Sequence, residues 1–195
     1  MGKFLFMKPV IEYISRGDFF KKAFALFLRV LAAVIALAGV VAWVKVWKSL
    51  SGADVATVLG IIIFQFLVIV ALYMVVHVFF IRAKDVAELP DGDYPVISIA
   101  SVFFKLFGEA YAAFSAVISL AGGILICFIG RKAFGIIKQV TIFKHGFGAG
   151  TDFLGGLVFI IGGIMTAFFA LAIFYFLSEA VVVLADIARN TKKGK

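Results

Sequence analysis

Four long apolar runs alternate with short polar segments along the chain. A stretch of about 20 apolar residues crosses the hydrocarbon core of a bilayer as an α-helix. The pattern therefore predicts four membrane-spanning helices, at about 23–44, 55–81, 99–129 and 154–186. Because the connection at 48–54 is short, the first two spans should form an antiparallel hairpin, and the last two a second one. The predicted fold is an all-α integral membrane protein, a single membrane domain over 1–195 built from two tandem helical hairpins.

The segments that flank the spans predict what lies at the membrane surfaces. Residues 1–22 mix apolar with basic positions, which is typical of an amphipathic segment resting on a membrane surface, here the cytoplasmic one. The connection 130–153 has a similar mixture and predicts an outer interfacial loop, closed by a glycine-rich joint at 145–150. Trp43 and Trp47 end the first span, where aromatic side chains anchor a helix at the interface.

Composition excludes a soluble globular protein and argues against nucleic acid as a partner. The chain is 64% hydrophobic, whereas about 45–50% is usual for soluble domains. Its net charge of +8 comes mainly from the segments beside the spans. Since no soluble basic domain exists to carry nucleic acid, the expected partners are the lipid bilayer and other membrane protein chains, or further copies of the chain itself.

The distribution of Lys and Arg predicts the orientation. Outside the spans, eleven of them lie in the N-terminal segment, the middle loop and the C-terminal tail, and six lie in the two other connections. Cytoplasmic segments carry the excess of basic residues. Both termini are therefore expected in the cytoplasm.

Charged residues inside the apolar runs are the candidate functional residues, because each costs about 2.5–3.5 kcal/mol at the centre of a helix. They and one neutral histidine form a candidate polar cluster toward the cytoplasmic ends of the spans: Arg29, His77, Lys105, Glu109 and Glu179. One interpretation is a proton or ion site that opens to the cytoplasm. The other is a clasp between helices, with Arg29 paired to Glu109 or Glu179. The apolar remainder of the spans favours the clasp.

Small residues mark candidate helix contacts on the fourth span. Two glycine pairs repeat at an interval of seven, and an alanine continues the stripe: Gly155, Gly156, Gly162, Gly163 and Ala167. Such stripes let helix backbones approach closely. The contact can be made within the chain or between chains, and the sequence leaves both open.

Cofactor and metal sites are not expected. Cys127 is the one cysteine and lies in an apolar run, so neither a disulfide nor a cysteine cluster can form within the chain. His77 and His145 fall on opposite sides of the membrane in the predicted topology, which argues against a haem held between them. No Ser, His and acid arrangement converges on one face either. The chain is therefore expected to have no catalytic activity.

The end of the fourth span, from Phe176 to Thr191, combines a glutamate, a Val/Leu run and an acidic exit followed by Asn-Thr. This pattern resembles the closing segment of small, functionally uncharacterised bacterial membrane proteins of the DUF4282 type. The resemblance covers about one helix of four, and it implies a bacterial cytoplasmic (inner) membrane protein without implying an activity. The function expected is a scaffold or accessory subunit of a membrane complex; the alternative is a small oligomeric transporter or channel.

Overall fold

The computed structural model describes Met7 and residues 18–90, 95–141 and 150–193. Within these ranges the chain forms α-helices and a single 3₁₀ turn, Lys48–Leu50, and no strand. The α-helices are α1 (Asp18–Trp47), α2 (Val55–Ala87), α3 (Pro95–Ile129), α4 (Lys132–Val140) and α5 (Phe153–Lys193). Most of the predicted amphipathic segment at 1–22 and most of the glycine-rich joint at 145–150 lie outside the described residues.

Helices α1, α2, α3 and α5 are each long and apolar enough to cross a membrane, which confirms the predicted fold of four spans. They extend beyond the predicted spans: α2 continues to Ala87, and α3 begins at Pro95. At a rise of 1.5 Å per residue, the 35 residues of α3 measure about 52 Å. The hydrocarbon core is only about 30 Å thick. The ends of the helices therefore reach the headgroup region and beyond it.

The four long helices are packed as an open row rather than as a closed bundle. Contacts join α1 to α2, α2 to α3, and α3 to α5. The consequence is visible in the burial of the most apolar part of each span, which is 39% for α2 and 44% for α3 but only 17% for α1 and for α5. Helices α1 and α5 are thus the edges of the row, and most of their surface is left for lipid or for another chain.

Glycines make the tight contact between α3 and α5. A Cβ atom on Gly156 would lie 2.7 Å from the carbonyl oxygen of Gly123, and one on Gly163 would overlap the Ser119 side chain. Ala167, one turn further along, is buried. The seven-residue repeat predicted to mark a packing stripe therefore lies against α3 within the same chain.

The other two members of the predicted stripe are placed differently. Gly155 lies against the carbonyl of Gly150 at the start of α5. Gly162 is half-buried.

Part of the predicted outer loop is helical. Helix α4 is amphipathic, with Ala133, Ile136 and Ile137 buried and Lys132 and Lys138 exposed. The buried residues belong to the same apolar core as parts of α1, α2 and α3. Helix α4 therefore covers one end of the row as a packed helix, with its basic side turned outward.

The two tryptophans at the end of α1 are partly buried. The indole N–H of Trp43 donates to the carbonyl oxygen of Gln65 at 3.3 Å, and the Gln65 side-chain amide donates to the Trp43 carbonyl at 2.8 Å. The Trp47 ring packs edge-on against Trp43, with ring centroids 5.4 Å apart. Trp43, one of the two residues predicted as an interfacial anchor, therefore fastens α1 to α2, and Trp47 packs on it.

Candidate functional site

The most concentrated set of charged contacts in the described residues is centred on Glu109, in the fourth turn of α3. Arg82, near the end of α2, donates from Nε to Glu109 Oε2 at 2.7 Å and from Nη2 to Glu109 Oε1. A guanidinium and a carboxylate that meet through two parallel hydrogen bonds form one of the stronger ion pairs in proteins. Their side chains are 18% and 21% exposed, so the pair lies largely within the protein.

A third helix joins this pair. The hydroxyl of Tyr175, on α5, donates to Glu109 Oε1 at 2.5 Å. Arg82 also donates from Nη1 to Asp85 Oδ2 at 2.6 Å, one turn further along α2. The ammonium of Lys105 lies 5.8 Å from the centre of the Tyr175 ring, within the range of a cation–π contact. We refer to Arg82, Asp85, Lys105, Glu109 and Tyr175 as the clasp.

The clasp lies near one end of the membrane-spanning region. Glu109 is 20 residues from Ile129, and Tyr175 is 22 residues from Phe153. These separations correspond to about 30 and 33 Å along the two helices. The hydrocarbon core is about 30 Å thick. If Ile129 and Phe153 lie at one membrane interface, the clasp therefore lies at the opposite interface.

A second polar contact ties α3 to α5 beyond the clasp. The hydroxyls of Ser101 and Ser178 are hydrogen-bonded at 2.8 Å, and both side chains are buried. Together the two contacts fix the register of the antiparallel pair, because they join α3 to α5 at two different levels.

The structure separates the five residues of the predicted cluster. Glu109 and Lys105 lie in the clasp, but the cation that pairs with Glu109 is Arg82, not Arg29. Arg29 and Glu179 are exposed, on α1 and α5. The expected pairing failed because α1 and α5 are the two edges of the row, so their outward faces do not meet within one chain. His77 is exposed as well and stacks on the Tyr73 ring at 5.7 Å.

Sequence reasoning missed Arg82, Asp85 and Tyr175. The hydropathy pattern places Arg82 outside the second span, because the apolar run ends at Ile81. The helix continues for six more residues, to Ala87, which keeps Arg82 on the packed surface. A signal was available: a carboxylate within a span requires a cation, and Arg82 is the basic residue next to the end of the preceding span.

The polar groups of the clasp are bonded to one another. The Glu109 carboxylate accepts three hydrogen bonds, two from Arg82 and one from Tyr175, so its oxygens are engaged. Elsewhere in the described ranges, no three His, Cys, Asp or Glu side chains converge as a set that could hold a metal ion. What the arrangement does is hold three helices together at one level.

Comparison with known proteins adds no further assignment: no family model, no curated protein and no solved structure matches the chain.

Proposed function

We propose that the chain is a non-catalytic membrane subunit, a helical scaffold or accessory component that packs against partner chains. The observation that carries this proposal is the open row of helices, in which α1 and α5 bury only 17% of their most apolar segments. An edge helix offers a long apolar side on which a further transmembrane helix can pack. Large side chains are exposed along both edges, among them Leu37 on α1 and Phe168 on α5.

The clasp supports the same proposal. Its charges are paired across α2 and α3, and Tyr175 of α5 hydrogen-bonds to Glu109. The clasp therefore stabilises the set of helices that presents the two edges. A carboxylate that already accepts three hydrogen bonds is poorly suited to take up and release a transported ion, because each cycle would have to break them.

Site-specific photo-crosslinking tests the proposal. A photoreactive phenylalanine analogue replaces Leu37 or Phe168, which are 69% and 63% exposed, in a tagged chain expressed in its native membrane. We expect products of defined mass that contain another polypeptide. The same analogue at Phe159, which is 7% exposed, is the matched control and should react only within the chain.

Mass spectrometry of the products separates the outcomes. A partner polypeptide supports an accessory subunit. Products with lipid alone at both edge positions contradict the proposal. Products with a second copy of the chain alone contradict an accessory role and favour the competing function.

The competing function is a small oligomeric transporter or channel. The observation that favours it is the exposure of Arg29, His77 and Glu179 on otherwise apolar spans, since charged residues within spans commonly mark ion pathways. Ion flux into liposomes that contain the purified chain tests it. Flux that Glu179→Gln abolishes without loss of assembly supports transport, whereas loss of assembly without any flux supports the scaffold.

For the location we propose a bacterial inner membrane with both termini in the cytoplasm. The excess of eleven Lys and Arg over six supports the orientation. Labelling of single cysteines in a Cys127→Ser background tests it in intact cells. A cysteine at Ser51, in the exposed α1–α2 connection, should react with an impermeant maleimide, and one at Glu88 should react only after lysis. The reverse pattern contradicts the orientation.

A further inference from the structure

An apolar groove of about 320 Å³ lies between α1 and α2 and runs from about two turns beyond the clasp toward the opposite end of the molecule. Its volume is in the range of about 300–1,000 Å³ that is usual for ligand sites. Its lining is entirely apolar: Ile35, Ala38, Gly39, Ala42, Val68, Leu72, Val75, Phe114 and Val140. The groove is open along one side, so it is reached from the bilayer.

Helical spacing explains the shape of the groove. Its residues on α1 are spaced at i, i+3, i+4 and i+7 from Ile35, and those on α2 at i, i+4 and i+7 from Val68. Each set forms one stripe of its helix, and the stripe on α1 consists mainly of small residues. Phe114 of α3 lies at the deeper end, level with Ile35 and Val75. Val140, the last residue of α4, lies at the end near the membrane surface.

Two basic residues follow the groove residues of α1 in the sequence, toward that surface. Lys45 is one turn beyond Ala42, and Lys48 is one turn further. Both side chains are exposed, and neither forms an ion pair with any residue that the structure describes. Helix α4, which closes the groove, adds basic residues and contains no acid.

Two acidic residues, Asp54 and Asp152, lie at this end of the molecule, and both already have hydrogen-bond partners. Thr57 donates its hydroxyl to Asp54, which lowers the pKa of that carboxyl, and Lys132 is close enough to act on it electrostatically. Asp152 accepts a hydrogen bond from the backbone N–H of Gly155 at 2.7 Å and so caps α5. Lys45 and Lys48 are therefore left to attract an anion from outside the chain.

We propose that this groove is a binding site for an anionic phospholipid, one acyl chain lying between α1 and α2 and the phosphate lying against Lys45 and Lys48. The apolar lining fits a hydrocarbon chain, and the lysines at its mouth are at the level of the headgroups. Only a ligand that combines an apolar tail with a negatively charged head group fits both the apolar lining and the two lysines. The site does not depend on whether the chain acts as a scaffold or as a transporter.

Native mass spectrometry of the purified chain in detergent tests the site. The micelles contain equal amounts of phosphatidylglycerol and phosphatidylcholine with the same acyl chains. We expect one phosphatidylglycerol to be retained in preference to phosphatidylcholine. The double variant Lys45→Gln/Lys48→Gln should lower that preference by about 10- to 30-fold, since each basic residue near the surface attracts anionic lipid. Ala38→Phe fills the groove and should abolish retention of the lipid.

Two controls match these variants. Ala33→Phe places the same side chain at an exposed position of α1 outside the groove, and Lys22→Gln/Lys84→Gln removes two charges at the other end. Both should retain phosphatidylglycerol as the unaltered chain does. Equal retention of the two lipids overturns the proposal, and so does an unchanged preference in the Lys45→Gln/Lys48→Gln variant. If Ala38→Phe does not fold, the lipid preference of the Lys45→Gln/Lys48→Gln variant still tests the proposal.

Discussion

Replacing Glu109 by glutamine tests whether the clasp holds the helices together. Glutamine keeps the shape of the side chain, so the packing around it is preserved. Its amide oxygen still accepts a hydrogen bond from Tyr175, but the charge that Arg82 meets is gone. Arg82 then has only Asp85 as an ionised partner within its reach.

The size of the effect follows from the exposure of the pair. Removing one member of a fully buried ion pair costs about 3–5 kcal/mol. The side chains of Arg82 and Glu109 are 18% and 21% exposed, and headgroups and water screen the charge that remains. We therefore expect a loss of about 1.5–3 kcal/mol, the range for a hydrogen bond to a charged group. For a chain of this size, that corresponds to a fall in Tm of roughly 4–10 °C.

Thermal unfolding of the purified chain in detergent measures this loss. Glu179→Gln is the matched control, because it makes the same chemical change on an exposed side chain and should alter stability by less than about 0.5 kcal/mol. A double-mutant cycle with Arg82→Gln isolates the interaction itself, with an expected coupling of about 1–3 kcal/mol. Two results would show that the ion pair does not hold the helices together. One is a loss of stability in Glu109→Gln no larger than that in Glu179→Gln. The other is that the losses caused by Glu109→Gln and Arg82→Gln are additive in the double variant.

Three further outcomes follow from the contacts described above. Tyr175→Phe removes the hydroxyl that joins α5 to the clasp and should cost about 1.5 kcal/mol, seen as a lower Tm; an unchanged Tm contradicts the role given to this contact. Gly123→Ala would place a Cβ 2.6 Å from a backbone carbonyl of α5 and should destabilise the chain, whereas Gly135→Ala, with open space around it, should stabilise it by up to about 1 kcal/mol. Thr57→Val should raise the depressed pKa of Asp54. A lowered pKa contributes stability above the ordinary pKa of the carboxyl, and that contribution is lost on acidification. The variant should therefore lose less Tm than the unaltered chain as the pH falls below about 4, and an identical loss counts against the role of this hydrogen bond.

The number of spans was predictable from sequence because it depends on local hydrophobicity alone. The order of the helices and the open row were not, since an apolar helix in lipid carries no periodic mark that tells a packed face from a lipid-facing one. Glycine spacing was the exception: the interval between Gly156 and Gly163 marked a contact face. It could not tell whether that face meets the same chain, as it does at Gly123 and Ser119.

For the charged residues, too, the sequence predicts one part of the structure, and tertiary packing determines the rest. A carboxylate at Glu109 could be predicted to need a cation within the protein, because a charge in a span is costly. Which cation it meets depends on where α2 ends and on the register of α2 against α3, and both are set by tertiary packing. The sequence pattern therefore places Arg82 in a loop and favours Arg29, two turns into an apolar run, as the partner of Glu109, whereas Arg82 is the residue that pairs with it.

The open row also has a consequence for how the chain is made. Each long helix packs chiefly on the long helix that precedes it in sequence, so assembly can follow the order of synthesis, from the N-terminus onward. The ion pair between α2 and α3 can therefore form before α5 is synthesised, and the Tyr175 hydroxyl of α5 can join it last. A nascent chain halted before α5 therefore holds its charges paired while the glycine face of α3 is still uncovered, a state that a membrane chaperone can recognise by that face alone.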